Sequence, residues 1–327
     1  MDTLLQVRNL TVRYDVDGQQ EIAAVRGVSL DISPGEILGL LGESGCGKTT
    51  LARALLQLLP ERSRIVQGSV RLRGRELLGL REREMQTIRG AEVSLIPQDP
   101  GIALNPCMRI GYQLVEVVRA HRPWNRSRCF EEAMALIARV RLDDTTRIFE
   151  AYPHELSGGE RHRVVIAQAL ACSPALVVAD ESTASLDSTT QAEILSLFRE
   201  LKTEREMSWL LITHNPRILS GLADRVLVMY AGRIVEAGSC DEILSAPLHP
   251  YTQGLLACLP ELPHRGDGET RKYLASIPGR APDLGCLPAG CSFAPRCPVR
   301  VEVCSVQAPP EVLTEGSGRV ECHLYDR

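Results

Sequence analysis

Aromatic side chains are scarce in this 327-residue sequence: two Trp, seven Tyr and four Phe, 4% of the chain. Positive charge is short as well. Lys and Arg number 37 against 41 Asp and Glu, a formal net charge of −4, which argues against nucleic-acid binding, because that normally needs a basic domain or stripe. The arginine-rich stretch Arg71–Arg83 supplies none: Glu76, Glu82 and Glu84 are interleaved with it, as on a solvated face. No apolar run approaches the about 18 residues that read as a membrane span. Residues 1–30 carry charges throughout and hold no apolar signal-peptide core, so the expectation is a chain that stays in the cytosol.

What is present is ordinary for a globular protein: 44% hydrophobic and 24% charged residues, with length enough for one large domain and a smaller one. The distribution of the 11 cysteines is unusual. In a cytosolic chain they are not a disulfide framework. Cys46, Cys107, Cys129, Cys172, Cys240 and Cys258 are scattered, whereas Cys286, Cys291, Cys297, Cys304 and Cys322 crowd the C-terminal end.

Residues 4–14 and 22–32 alternate apolar and polar side chains, as half-buried antiparallel strands do, with a turn expected at Asp17–Gly18. A short apolar strand over 36–41 then runs through glycines into a helix expected from Lys48 to Leu59. Another strand, Val93–Ile96, stops at Pro97. Residues 110–171 read as helices broken at Pro123 and around Tyr152–Pro153. Alternation resumes with strand 175–180, helix 188–204, strand 208–213, helix 216–222, strand 225–230 and a hairpin into Arg233–Glu236. Strands separated by helices imply a parallel sheet covered on both faces, and the expected fold is α/β with a mixed sheet core. The expected organisation is a domain over 1–250, carrying an antiparallel β subdomain and a helical insertion over about 105–171. Past 250 the composition shifts to Pro, Gly and Cys, which marks off an extension over 251–327.

Gly42-Glu43-Ser44-Gly45-Cys46-Gly47-Lys48-Thr49 fits G-x-x-x-x-G-K-[ST] between an apolar strand and a helix. Glycines let backbone N–H groups turn inward around phosphates at a helix N-terminus, with Thr50 continuing the helix. Lys48 would reach the β- and γ-phosphates of ATP, and the Thr49 hydroxyl would ligate Mg²⁺. Leu176-Val-Val-Ala-Asp180-Glu181 ends an apolar strand in two acids, where open α/β sheets bind ligands. Asp180 is placed to hold Mg²⁺ through water and Glu181 to polarise an attacking water.

Leu156-Ser157-Gly158-Gly159-Glu160 resembles the signature motif of ATP-binding-cassette ATPases. Ser157 opens a helix and Gly158 and Gly159 bare its first amides, making a second anion site. In that family two ATPase domains pair head to tail, each ATP clamped between one phosphate loop and the partner's signature. The resemblance implies further roles: Gln98 as the glutamine-loop residue that senses Mg²⁺ and contacts the permease side, His214 as the switch histidine at the γ-phosphate, and Asp187 on a loop crossing the dimer interface. Tyr14 is the candidate for stacking on adenine. Glu160, His162, Ser182 and Asn215 depart from the usual residues, and none of them replaces a phosphate, metal or water ligand.

Ser94-Leu-Ile-Pro-Gln-Asp-Pro-Gly-Ile-Ala-Leu-Asn-Pro106, Leu248-His-Pro-Tyr-Thr-Gln-Gly-Leu-Leu256 and Gly290-Cys-Ser-Phe-Ala-Pro-Arg-Cys-Pro298 narrow the resemblance to the ATPase subunits of oligopeptide, dipeptide and nickel importers. It implies a sister ATPase subunit, two transmembrane permease subunits and, indirectly, a substrate-binding protein, at the cytoplasmic face of the inner membrane. The cargo stays open among peptides, nickel and metal chelates. The competing classes are a cassette ATPase without a membrane role, and a metal or redox protein. Cys291, Cys297, Cys304 and Cys322 lack the C-x-x-C knuckles of zinc ribbons. Some members of the look-alike family carry a [4Fe–4S] centre in this extension, and four thiolates suit one. Four free thiols are the alternative, and Cys286 is expected to be a bystander.

Overall fold

The computed structural model describes residues 3–16, 18, 20–183, 186–204, 207–258, 276–314 and 318–326. Its strands in chain order are β1 (Leu5–Val16), β2 (Gln20–Ile32), β3 (Ile37–Leu41), β4 (Ser63–Leu72), β5 (Arg75–Glu76), β6 (Val93–Ile96), β7 (Leu176–Asp180), β8 (Ser208–Thr213), β9 (Arg225–Tyr230), β10 (Arg233–Ser239), β11 (Glu311–Leu313) and β12 (Arg319–Glu321). The helices are α1 (Lys48–Leu55), α2 (Glu82–Ile88), α3 (Pro100–Ala103), α4 (Ile110–His121), α5 (Arg126–Arg139), α6 (Thr145–Glu150), α7 (Gly158–Leu170), α8 (Ser188–Glu204), α9 (Pro216–Leu219), α10 (Cys240–Ser245) and α11 (Pro250–Ala257).

Two sheets result. The smaller is antiparallel in the order β2-β1-β4-β5, and the larger runs β11-β12-β10-β9-β3-β8-β7-β6. Strands β9, β3, β8, β7 and β6 are parallel neighbours, and β10, β12 and β11 extend the sheet antiparallel. The sheet is parallel at its centre and mixed overall, as expected, with the antiparallel subdomain beside it.

Both faces of the central strands are buried because side chains alternate across a sheet. Leu38 and Leu40 of β3, Val178 of β7 and Leu210 of β8 join a core with β1, α1 and the antiparallel sheet. Ile37, Leu41, Val177 and Trp209 face the other way, into a core with α4–α8. The helical insertion thus packs on one face and the β subdomain on the other.

Several boundaries differ from expectation for local reasons. Helix α1 stops at Leu55 rather than Leu59: Gln57 takes φ 51°, and Leu59 precedes Pro60, a position that disfavours helix. Helix α9 stops at Leu219, short of 222, where Gly221 turns with φ 65°. The expected helical block breaks a further time at 140–144, where Arg141 has φ 59° and Asp144 caps α6. Asp17 of the expected first turn, Ala184 and Ser185 lie outside the described residues. Among the described residues no helix is long and apolar enough to cross a membrane.

Candidate functional site

The site gathers where four neighbouring parallel strands end. In sheet order β3, β8, β7 and β6 are followed by the phosphate loop with Lys48, by His214, by Glu181 and by Gln98. Residues far apart in sequence therefore share one crevice at the carboxyl edge of the sheet.

The loop itself is shaped by close approach. A Cβ on Gly42 would run into the Met229 carbonyl and Cys46 Sγ, and Gly47 has φ 109° and a Cβ on it would run into the Ala24 carbonyl. Only glycine meets both demands. Helix α1 has no side-chain cap, so its first amides are free to bind an anion. Ser44 and Gly45 are exposed at the loop's crest and Cys46 is buried under it, where burial pushes its thiol pKa up. The buried Lys48 ammonium donates to the carbonyls of Gly42 (2.8 Å) and Glu43 (2.9 Å) and lies 3.5 Å from Glu181 Oε1.

Glu181 is the hub. Its Oε2 accepts from Gln98 Nε2 at 3.3 Å and lies 3.2 Å from His214 Nδ1. Its backbone sits in the left-handed region at φ 47°, while its N–H stays tied to the Ile212 carbonyl. A non-glycine residue there stores strain, of order 1 kcal/mol or more, that its surroundings must hold. Beside it, Asp180 Oδ1 accepts from the Thr49 hydroxyl at 3.2 Å. Burial pushes the Asp180 carboxyl pKa up, with the hydrogen bond from Thr49 opposing. A hydroxyl facing a desolvated carboxylate is a donor set that suits a hard divalent cation. Tyr14 sits on β1 with its hydroxyl 3.1 Å from Thr50 Oγ1, against the first turn of α1.

Ser157, Gly158 and Gly159 form a separate centre. Ser157 caps α7, its Oγ accepting from Glu160 N at 3.2 Å while Glu160 Oε2 accepts from Ser157 N at 2.8 Å. Glu160 therefore closes the capping box and also pairs with Arg147. Gly158 faces open space, whereas a Cβ on Gly159 would press on Thr190 Cγ2 of α8 at 3.0 Å. Among the described residues no hydrogen bond or ion pair joins 157–159 to 42–49. Asp187 caps α8, accepting from Thr190 N and the Thr190 hydroxyl. The other departures also have local partners. Asn215 caps α9 by accepting from Arg217 N, and buried His162, its pKa lowered by desolvation, faces the Ser182 backbone next to Glu181.

At the C-terminal end, Cys291, Cys297, Cys304 and Cys322 line one small apolar pocket with Phe293 and His249, while Cys286 is exposed elsewhere. Burial pushes the thiols of Cys291, Cys297 and Cys322 up. Among the described residues no three His, Cys, Asp or Glu side chains stand close enough to hold a single metal ion. One connection was not legible in the sequence. Arg296, one residue before Cys297, grips Glu43 of the phosphate loop with two hydrogen bonds of 2.7 and 3.0 Å. The sequence offers only weak signals for it, an acid inside a glycine-rich loop and an arginine between two cysteines.

A sheet of this order with these motifs at its carboxyl edge defines a nucleotide-binding cassette, and comparison with known proteins agrees. The ABC transporter family model matches residues 25–184, and the model for the oligopeptide/dipeptide transporter C-terminal region matches residues 235–304, ending short of Cys322. The dimeric post-hydrolysis structure of the ATP-binding cassette MJ0796 bound to ADP and Pi superposes with a TM-score of 0.65 at 25% identity, covering 72% of this chain and 98% of that one. The chain belongs to the ABC transporter family and is an ATPase of the cassette type.

Its relatives narrow this further. The oligopeptide transport ATP-binding protein OppD of Escherichia coli K12 is 43% identical over 316 residues, 96% of this chain and 91% of the relative. The dipeptide transport ATP-binding protein DppD of Bacillus subtilis 168 is 40% identical over 328 residues, 100% of this chain and 96% of the relative.

Proposed function

We propose that the chain is the ATP-hydrolysing subunit of a peptide importer, with Glu181 as the residue that orients and polarises the attacking water. The convergence of Lys48, Gln98 and His214 on the Glu181 carboxylate carries this reading. The phosphate-loop amides of 42–50 would cradle ATP, and Lys48 would exchange its two carbonyl partners for the β- and γ-phosphates. Thr49, Asp180 (through water) and Gln98 would hold Mg²⁺, which when bound neutralises charge developing on the phosphates. His214, half exposed at the crevice mouth, would reach the γ-phosphate, and Tyr14 would flank the adenine. Exposed Ser157 and Gly158 leave a second anion site unpartnered in one chain, which supports an ATP shared with the signature of another ATPase domain, a sister subunit in this reading, with Asp187 at the seam.

Ile102, Met108, Tyr112 and Phe130 are exposed around the helical insertion next to Gln98. Apolar side chains there suit docking of two permease subunits, and hence a peripheral position on the cytoplasmic face of the inner membrane, with a binding protein selecting cargo. The names of the relatives favour peptides over nickel as that cargo.

We read the four thiols that line this pocket as ligands of a [4Fe–4S] cluster, on the chemistry of four thiolates. Bound there, the cluster would staple the extension. Iron and sulfide assays on anaerobically purified protein decide this, and a well-ordered extension with neither element contradicts it. For transport, labelled dipeptide uptake into proteoliposomes should require ATP and vanish with Glu181→Gln. ATP-driven nickel uptake without peptide uptake would overturn the peptide reading.

A further inference from the structure

Glu43 is held from outside its own loop at every polar group that does not face Lys48. Its N–H donates to the Tyr251 hydroxyl at 2.8 Å, and its carboxylate takes both arms of the Arg296 guanidinium. Its carbonyl accepts from Lys48 Nζ. Arg296 is itself fixed: its side chain is 7% exposed, Nε donates to the Pro278 carbonyl at 2.9 Å, and the guanidinium lies 5.9 Å from the centroid of the Tyr230 ring. Tyr230 packs in turn against Tyr251 and Phe293 in tilted and edge-on contacts, the three ring centroids 4.6 to 5.5 Å apart. Phe293 and Arg296 both lie between Cys291 and Cys297, so the cysteine pocket and the phosphate loop are joined through about one turn of chain.

We propose that Arg296 is a positioning residue for the nucleotide: by clamping Glu43 it holds the phosphate loop and Lys48 in the binding conformation, so that ATP affinity depends on the cysteine-bearing extension. The inference rests on the reading of residues 42–49 as the ATP cradle. A glycine-rich loop loses much conformational freedom when it wraps a ligand. Restraint supplied beforehand by Arg296 and Tyr251 removes that cost from binding. The bidentate pair gives direction as well as charge, so lysine cannot fully replace arginine. The link from Arg296 to the phosphate loop runs through the Glu43 carboxylate.

The test is a double-mutant cycle in the full chain assembled with its partners, reading Kd for a fluorescent ATP analogue and KM and kcat for ATP. Arg296→Gln should weaken ATP binding and raise KM by roughly tenfold, about 1.4 kcal/mol, with kcat within about twofold. Arg296→Lys should recover part of the affinity. Glu43→Gln should weaken binding like Arg296→Gln, and the double variant should be no worse than either single one. Glu43 is a quarter exposed, so Glu43→Gln reports on the pair even if the buried Arg296 variant fails to fold. Unchanged affinity in Glu43→Gln, or strictly additive losses, would overturn the proposal. Lys48→Ala separates it from its premise: if that variant binds ATP normally, the cradle reading fails and not merely the clamp.

Discussion

At the residue scale, the catalytic assignments rest on one crowded carboxylate. Glu181 receives Gln98 and faces His214 on one oxygen and Lys48 on the other, so it is oriented without being neutralised by a single partner. Glu181→Gln should keep ATP binding and cut steady-state hydrolysis by at least about a hundredfold, measured by phosphate release beside analogue binding. Asp180 presents a different balance. Its carboxylate is desolvated and only partly compensated, so Asp180→Asn should raise the melting temperature of the nucleotide-free protein while abolishing Mg²⁺-dependent hydrolysis. A lower melting temperature would show that the hydrogen bond from Thr49 outweighs desolvation. Lys48, Gln98, Asp180, Glu181 and His214 meet at one crevice because each ends or follows a strand of the sheet, whereas Ser157, Gly158 and Gly159 stand apart from it. The Arg296–Glu43 pair was not legible because 253 residues separate its partners and no periodicity marks a single long-range ion pair.

At the scale of elements, legibility followed the strength of the local pattern. Strands β6, β8 and β9 and helix α8 form where the alternation placed them. Strand β4 and the short β5 and α2 escaped notice. Half of β4 is exposed and only Val70 and Leu72 are buried, and the exposed run 66–68 interrupts the alternation. Arginines in and after β4 pair at the surface, Arg71 with Glu76 and Arg81 with Glu84, which looks the same in sequence whether the backbone is strand or loop. The signature helix α7 offers a test at this scale. Ser157→Ala removes one half of its capping box, costing about 1 kcal/mol of stability. Urea unfolding should show that modest loss, while ATP-driven association with the proposed partner ATPase should fall far more if the hydroxyl also meets a shared nucleotide. Equal small effects on both would confine Ser157 to a cap.

Across the whole molecule, the extension is fastened to the cassette, although composition suggested a break at 250. Tyr251 is fully buried in the main core, β12 pairs with β10, and Arg233 holds Glu321 with two bonds of 2.9 Å. Composition cannot report this, since Pro, Gly and Cys describe the chain's local freedom and not what it packs against. His249 lies in that seam with its pKa lowered to about 4 by burial, its Nδ1 accepting from Tyr251 N. It is neutral in the fold and takes up a proton on unfolding. Its contribution is therefore intact above pH about 6.5 and is lost as pH falls toward 4, about 2 kcal/mol by pH 5. His249→Asn keeps a capping acceptor and should lose less stability than the wild type between pH 7.5 and 5, read from urea midpoints. An identical loss would show that His249 does not titrate on unfolding.

In the proposed arrangement ATP bridges two ATPase domains, with the cradle on one and the tip of α7 on the other. A photoreactive residue placed at Gly158 of the Glu181→Gln variant, assembled with its partners, reads this directly. With ATP and Mg²⁺ it should crosslink to the phosphate-loop peptide of the neighbouring ATPase, and without nucleotide it should not. Stoichiometric ATP retention with no such crosslink would contradict the account.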